Sequence, residues 1–177
     1  MKDSNNTCAA GIANLDRESW ARPGDAPDLR LWLRMLTCST LVENRMRGLM
    51  RARFGTTLPR FDLMAQLAHV PGGMKMSDLS RSMMVTNGNI TGIADQLERD
   101  GLIERAKVDA DRRSCLVRLT PKGRQHFRRM SSAYQGWLVD LFEELPGLRR
   151  EQLHELLGEL KTACLRTLPP ENANRPH

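Results

Sequence analysis

From Leu29 onward the apolar residues recur at helical spacing. Leu29, Trp32, Leu33, Leu36 and Thr40, then Leu41, Met46, Leu49 and Met50, predict one long amphipathic helix, with Asp28 as its N-cap and an end near Phe54 and Gly55. A shorter helix follows from Pro59 with Phe61, Leu63, Met64, Leu67 and Ala68, and Pro71-Gly72-Gly73 stops it. A compact helical pair comes next. Ser77 is placed to cap the first member, which carries Leu79 and Met83. Thr86 is placed to cap the second, which sets Ile90, Ile93, Ala94 and Leu97 on one face until Gly101 ends it, and a short turn around Val85 joins the two. The pattern then changes. Leu102 to Arg105 and Cys115 to Leu119 are strand-like, separated by a charged turn from Asp109 to Ser114. Thr120-Pro121-Lys122-Gly123 opens a long helix with Phe127, Met130, Tyr134, Trp137, Leu138, Leu141, Phe142 and Leu145, broken by Pro146-Gly147. A last helix runs from about Leu148 to Leu165, with Leu153, Leu156, Leu157 and Leu160 on one face.

The order helix, helix, helix-turn-helix, hairpin, helix, helix predicts a mainly α fold with a small β-hairpin wing. This is a winged helix-turn-helix, with the N- and C-terminal helices forming a dimerisation lobe. The expected boundaries are a flexible arm over 1–27, the domain over 28–168 and a flexible tail over 169–177. Within the domain, helices 28–54 and 122–168 serve dimerisation and 57–120 is the DNA-binding lobe. The first helix and the last two carry more apolar face than a domain of this size needs. A two-fold homodimer covers the surplus; packing within one subunit is the alternative.

Composition adds a partner class. The chain has 177 residues, 27 Lys and Arg against 21 Asp and Glu, and a net charge of +6, which leans towards a polyanion. Cys8, Cys38, Cys115 and Cys164 lie far apart, with no C-x-x-C pair and no histidine at ligand spacing, so neither a disulfide framework nor a zinc or other metal site is expected. No Gly-rich phosphate loop or nucleophile elbow is present, and His69, His126, His154 and His177 are dispersed. An enzyme and a cofactor are therefore not expected. The first residues do not form a signal peptide and no apolar run approaches a membrane span, so the expected setting is cytoplasmic.

The helical pair and the hairpin carry the chemistry. A helix-turn-helix offers a major groove the exposed side of its second helix, and here Asn87, Gly88, Asn89, Thr91, Gly92, Asp95 and Gln96 are left for that role. Asn and Gln pair bidentately with adenine, and Thr reaches a thymine methyl or a phosphate. Asn and Gly are also ordinary turn and cap residues. The tip Asp109-Ala110-Asp111-Arg112-Arg113-Ser114 places two arginines beside two carboxylates, suited to a narrow minor groove, with Asp111 holding an arginine by a charge-assisted bond.

The segment Leu97 to Arg105, followed by Asp111-Arg112-Arg113 and by Leu116 to Gly123, resembles the MarR family of multiple antibiotic resistance regulators over residues 28–168. The resemblance implies a winged-helix dimer that binds double-stranded DNA at a roughly palindromic operator and acts as a repressor released by a small ligand. It makes Thr86 to Asp100 the recognition helix and Arg113 the wing-tip arginine supported by Asp111. The expected DNA-contacting set is Ser77, Arg81, Thr86, Asn87, Asn89, Thr91, Gln96, Lys107, Asp111, Arg112 and Arg113. One departure is Gly92, where many members carry a basic residue. A ligand site is expected from Arg30 and Arg34, one turn apart, with Arg60 and His69, and with Trp32, Phe61 and Met64 to cover an aromatic ring; the three apolar residues also fit a core. Residues 60–67 and 84–89 are similar to the branch that controls aromatic-acid breakdown, which implies an aromatic carboxylate or its coenzyme A thioester. Two other readings stand beside this one. They are a redox-responsive regulator using a cysteine, for which Cys38 is expected to be buried and structural, and a winged-helix protein-interaction module without DNA.

Overall fold

The computed structural model describes residues 16–83, 87–108 and 111–167. Its first long helix, α1 (Pro27–Phe54), takes Ala26 as cap residue with no side-chain cap bond. Asp28 is therefore not the N-cap; it lies in the first turn, where a carboxylate meets the positive end of the helix dipole. Gly55 ends α1 in the left-handed region, its N–H on the Arg51 carbonyl at 3.0 Å. Within the expected arm, Arg17–Trp20 forms one 3-10 turn laid on α1: the Arg17 N–H donates to the Thr37 hydroxyl at 3.0 Å and Glu18 pairs with Arg34. Thr37, a polar residue in an apolar stripe, is thereby satisfied.

Helix α2 (Leu58–His69) starts one residue before Pro59, so the missing proline N–H falls where the helix needs none. Then comes an element with no signal in the sequence, the two-residue strand β1 (Met74–Lys75), and directly after it α3 (Met76–Ser82). Ser77 is thus inside α3 rather than its cap, a role that falls to Lys75. Helix α4 (Asn87–Arg99) follows; Thr86 and the turn around Val85 lie outside the described residues. Strands β2 (Ile103–Val108) and β3 (Asp111–Leu119) pair antiparallel, and β1 adds to the other edge of β3, giving the order β1-β3-β2. The register runs from Ile103 opposite Leu119 to Lys107 opposite Cys115, then jumps so that Val108 faces Asp111. The expected six-residue turn is therefore wrong in extent: its residues 111–114 belong to β3, and Arg112, Arg113 and Ser114 are taken up by the register shift. Two long helices close the chain, α5 (Pro121–Phe142) and α6 (Gly147–Thr167).

The chain divides into two compact units, one extending to Tyr134 and one from Gln135. In the first, Met46 and Met50 of α1, Phe61, Leu63, Met64 and Leu67 of α2, Leu79 of α3, and Ile90, Ala94 and Leu97 of α4 are buried, with Ile103, Val117 and Leu119 from the sheet. Each of these side chains larger than Ala94 contributes roughly 1.5–3 kcal/mol when fully buried. Phe61 stacks on Phe127 and Tyr134 at centroid distances of 5.5 and 5.0 Å, which fixes α5 against α2. In the second unit α6 has no buried residue, and Leu148, Leu153, Leu156 and Leu157 stay open. No helix among the described residues is long and apolar enough to cross a membrane.

Candidate nucleic-acid interface

Helix α4 is held from one side by Ile90, Ala94 and Leu97, spaced four and three residues apart, so one narrow stripe is buried. The rest faces outward: Gly88, Asn89, Thr91, Gly92, Gln96 and Arg99 are exposed. Asp95, one of the residues left over for the outer side of α4, is paired by Arg105 of β2, which also reaches Glu98 at 3.0 Å and so clamps α4 to the sheet. Sequence reasoning passed over Arg105. The available signal was an acidic pair three residues apart on a helix followed by an arginine on the next strand. On α3, Ser77 and Arg81 lie one turn apart and exposed; among the described residues Arg81 has the loose Asp78 contact at 3.6 Å, worth little at a surface. The backbone of Lys107, Asp111, Arg112 and Arg113 is carried by the outer part of the hairpin, and that of Asn87 starts α4.

The far end of α4 is tied into a junction. The Leu102 N–H reaches the Leu97 carbonyl and the Gly101 N–H that of Glu98, both at 2.9 Å, with Gly101 at φ 68°. This double bond closes the helix and sends the chain into β2. Thr120 meets the same spot: its hydroxyl donates to the Gly101 carbonyl at 2.8 Å, accepts from the Gly123 N–H at 2.9 Å, and its own N–H donates to the Leu102 carbonyl at 3.1 Å. Gly123 is pressed so close that an added Cβ would stand 1.8 Å from the Leu102 carbonyl oxygen. Lys122 donates to the Asp100 carbonyl at 2.8 Å, and Arg60 of α2 pairs with the Asp100 carboxylate. The end of α4 is thereby bound to α2 and to the start of α5.

The residues expected to form a ligand site are not gathered in one cavity. Arg30 and Arg34 line a shallow depression of about 270 Å³ with Pro27 and Leu31, and Glu18 engages Arg34. Trp32 is 55% exposed on α1, whereas Phe61 and Met64 are buried in the core. Arg60 is committed to Asp100, and His69 is exposed at the last turn of α2. Cys38 is exposed, not buried as expected, because it stands off the stripe marked by Leu33 and Thr37. No cluster of three or more metal-ligating side chains occurs among the described residues.

Three groups near this lobe titrate away from their ordinary values. Burial lowers the His126 imidazole, helped by the charges of Arg129, Arg60 and Lys122. Desolvation raises the Asp62 carboxyl, then Glu43 adds to it; the residue as a whole keeps an open face, so the effect is partly relieved by water. Tyr134 is raised by burial and by the charges of Asp62 and Glu43.

The MarR family model matches residues 56–115, the segment from the start of α2 to the outer part of β3. The chain is 39% identical over 154 residues to the uncharacterized HTH-type transcriptional regulator YfiV of Bacillus subtilis, covering 86% of each. It is 32% identical over 124 residues to the transcriptional repressor MprA of Escherichia coli, covering 69% of each. With the transcriptional activatory protein BadR of Rhodopseudomonas palustris it shares 33% identity over 97 residues, 54% of this chain and 55% of BadR, so it spans about half the length of that relative. In fold it is similar to Sco3205, a MarR family transcriptional regulator from Streptomyces coelicolor solved in complex with DNA. The TM-score there is 0.73 at 20% identity, over 87% of this chain and 95% of the other. With a helix-turn-helix, a wing and relatives that are transcriptional regulators over most of its length, the chain belongs to the MarR family of transcriptional regulators.

Proposed function

We propose that the protein is a homodimeric, sequence-specific binder of double-stranded DNA that represses transcription until a small ligand releases it. The observation that carries this reading is α4 itself: one face is locked by Ile90, Ala94, Leu97 and the Arg105 clamp, and the opposite face presents short polar side chains beside a hairpin bearing arginines. Asn89, Thr91 and Gln96 read the major groove with Asn87 and Thr86, while Ser77 and Arg81 hold phosphates. Lys107 and Arg112 add backbone contacts, and Arg113, steadied by Asp111, enters the minor groove. Dimerisation is supported by apolar side chains left open on a single chain, among them Leu29, Trp32, Val139, Phe142, Leu153 and Leu156. Covering them in a two-fold pair places two α4 helices on one side of a duplex.

The likeness to the repressor MprA supports repression; the shorter likeness to BadR, an activator, supports the opposite sign. An aromatic carboxylate, or its coenzyme A thioester, is the effector class in this reading, with Arg30 and Arg34, which line one shallow depression with Leu31, as its anion partners. The test begins with a duplex selected from random sequence by the purified protein. Arg113→Ala is expected to weaken binding to it in a gel shift while sedimentation still reports a dimer. Unchanged affinity removes the wing from the interface. A promoter carrying the selected site gives the sign. Arg34→Ala is expected to reduce release by aromatic acids or thioesters with operator affinity intact, and a thermal-shift series with those compounds reports binding directly.

A further inference from the structure

The 3-10 turn Arg17–Trp20 buries none of its residues, so no core holds it against α1. Among the described residues two polar ties do so. The Arg17 N–H donates to the Thr37 hydroxyl at 3.0 Å, and the Glu18 carboxylate engages Arg34. Arg34 meets one carboxylate oxygen, Oε1, twice: from Nε at 2.7 Å and from Nη2. The pair is open to water, with 67% of the Arg34 side chain and 31% of the Glu18 side chain exposed, so it is a weak tie that a competitor can break. Arg34 is also one of the two guanidiniums, with Arg30, on the depression of about 270 Å³ bounded by Pro27 and Leu31.

The atoms that Glu18 takes decide what else Arg34 can hold. A guanidinium grips a carboxylate bidentately along one of two edges, Nε with Nη2 or Nη1 with Nη2, and Nη2 belongs to both. Glu18 sits on Nη2 and on Nε. A second carboxylate therefore gains a full fork on Arg34 only after Glu18 leaves, and two carboxylates on one guanidinium repel across a few ångströms. Bonding to Arg34 holds the Glu18 carboxyl below its ordinary value, so the occupant is itself an anion. Glu18 is thus an internal stand-in for the anion that α1 is read as binding.

We propose that the Arg17–Trp20 turn is an autoinhibitory latch, in which Glu18 fills the anion position on Arg34 until a carboxylate effector displaces it and sets the turn free. This rests on the effector reading given above. Once Glu18 is displaced, the Arg17–Thr37 bond alone holds a turn with nothing buried. A single hydrogen bond does not offset the conformational entropy of four ordered residues. Arrival of the ligand is thereby converted into loss of order beside the first turns of α1.

Full-length protein with benzoate as probe, benzamide as its uncharged analogue and sodium chloride at matched ionic strength tests this. Calorimetry reads affinity, and hydrogen exchange of the amides of residues 17–21 reads the turn. Saturating benzoate is expected to speed that exchange by at least about threefold in the wild type, and benzamide or salt not at all. Glu18→Ala, checked to melt as the wild type does, is expected to exchange fast without ligand and to bind benzoate about two- to fivefold more tightly, the fold-change that an exposed ion pair supplies. The latch is overturned if Glu18→Ala binds benzoate no more tightly than the wild type, or if benzoate saturates the wild type without loosening the turn. In either case loss of benzoate binding in Arg34→Ala shows that the effector reading survives. If neither the wild type nor Glu18→Ala binds benzoate, the effector reading has failed and the latch with it, even where the turn of the variant exchanges fast.

Discussion

Replacing Gly123 by alanine tests the junction at the end of α4. The new methyl group would stand 1.8 Å from the Leu102 carbonyl oxygen and 2.8 Å from its carbon, both backbone atoms that no rotamer change can move. Relief requires α5 to retreat by about 1.5 Å to restore ordinary contact. Overpacking of this kind typically destabilises by about 1–3 kcal/mol, and a fixed backbone obstacle puts Gly123 at the upper end. Retreat also strains the Thr120 bonds to Leu102 and to Gly123, each worth about 1 kcal/mol. Better helix propensity of alanine returns up to about 1 kcal/mol. The expected net loss is therefore about 3 kcal/mol, read as a lower urea midpoint with unchanged slope at matched protein concentration. Gly48→Ala is the control: it lies in α1 with nothing within 4 Å, and it should be neutral or stabilising. If Gly123→Ala proves as stable as Gly48→Ala, the close approach does not constrain the fold and the reasoning fails.

Arg105→Ala removes the clamp on Asp95 and Glu98; operator affinity should drop about tenfold while sedimentation still shows the dimer, and an unaltered gel shift would deny the clamp its positioning role. Gly92→Arg places a cation on an open part of α4, where nothing lies within 4 Å, and should raise DNA affinity and steepen its salt dependence by about one counterion per contacting arginine. Asp62→Asn concerns pH. The folded carboxyl titrates above its ordinary 3.8, so the wild-type protein binds the proton more tightly folded than unfolded. Its stabilising contribution is full below the unfolded value and lost as pH rises through the raised one. Thermal melts should thus show the variant more stable than wild type at neutral pH and equal to it in acid. Equal curves at both would mean water relieves the site completely.

Reading the pattern located α4 because its burial follows a single stripe: Ile90, Ala94 and Leu97 mark it as clearly in sequence as in space. Gly55 and Gly101 marked their helix ends because both adopt positive φ. What escaped was non-local. Strand β1 is two residues long, too short for alternation, and exists because Gly73, at φ 92°, lets the chain run against the Val117 carbonyl. The caps at Ala26 and Lys75 have no side-chain signature, so Asp28 and Ser77 drew the assignment instead. The partner of Arg60 sits forty residues away, and no spacing rule reaches it. Trp32 and Phe61 share an apolar chemistry but not an environment, since one faces outward on α1 and the other stacks on Phe127 and Tyr134.

The polar, nearly uncharged face of α4 has a kinetic meaning. A protein scans a genome on the strength of phosphate contacts, which release counterions and ignore sequence. With Gly88, Asn89, Thr91, Gly92 and Gln96 outward, α4 adds little to that general attraction. On the proposed reading, sojourns on random DNA then depend on charges outside α4, and it is these contacts that salt weakens. On the same reading, discrimination between right and wrong base pairs rests on uncharged hydrogen bonds and changes far less with ionic strength. A cell that alters its salt content would therefore shift how quickly this regulator finds its site more than which site it chooses.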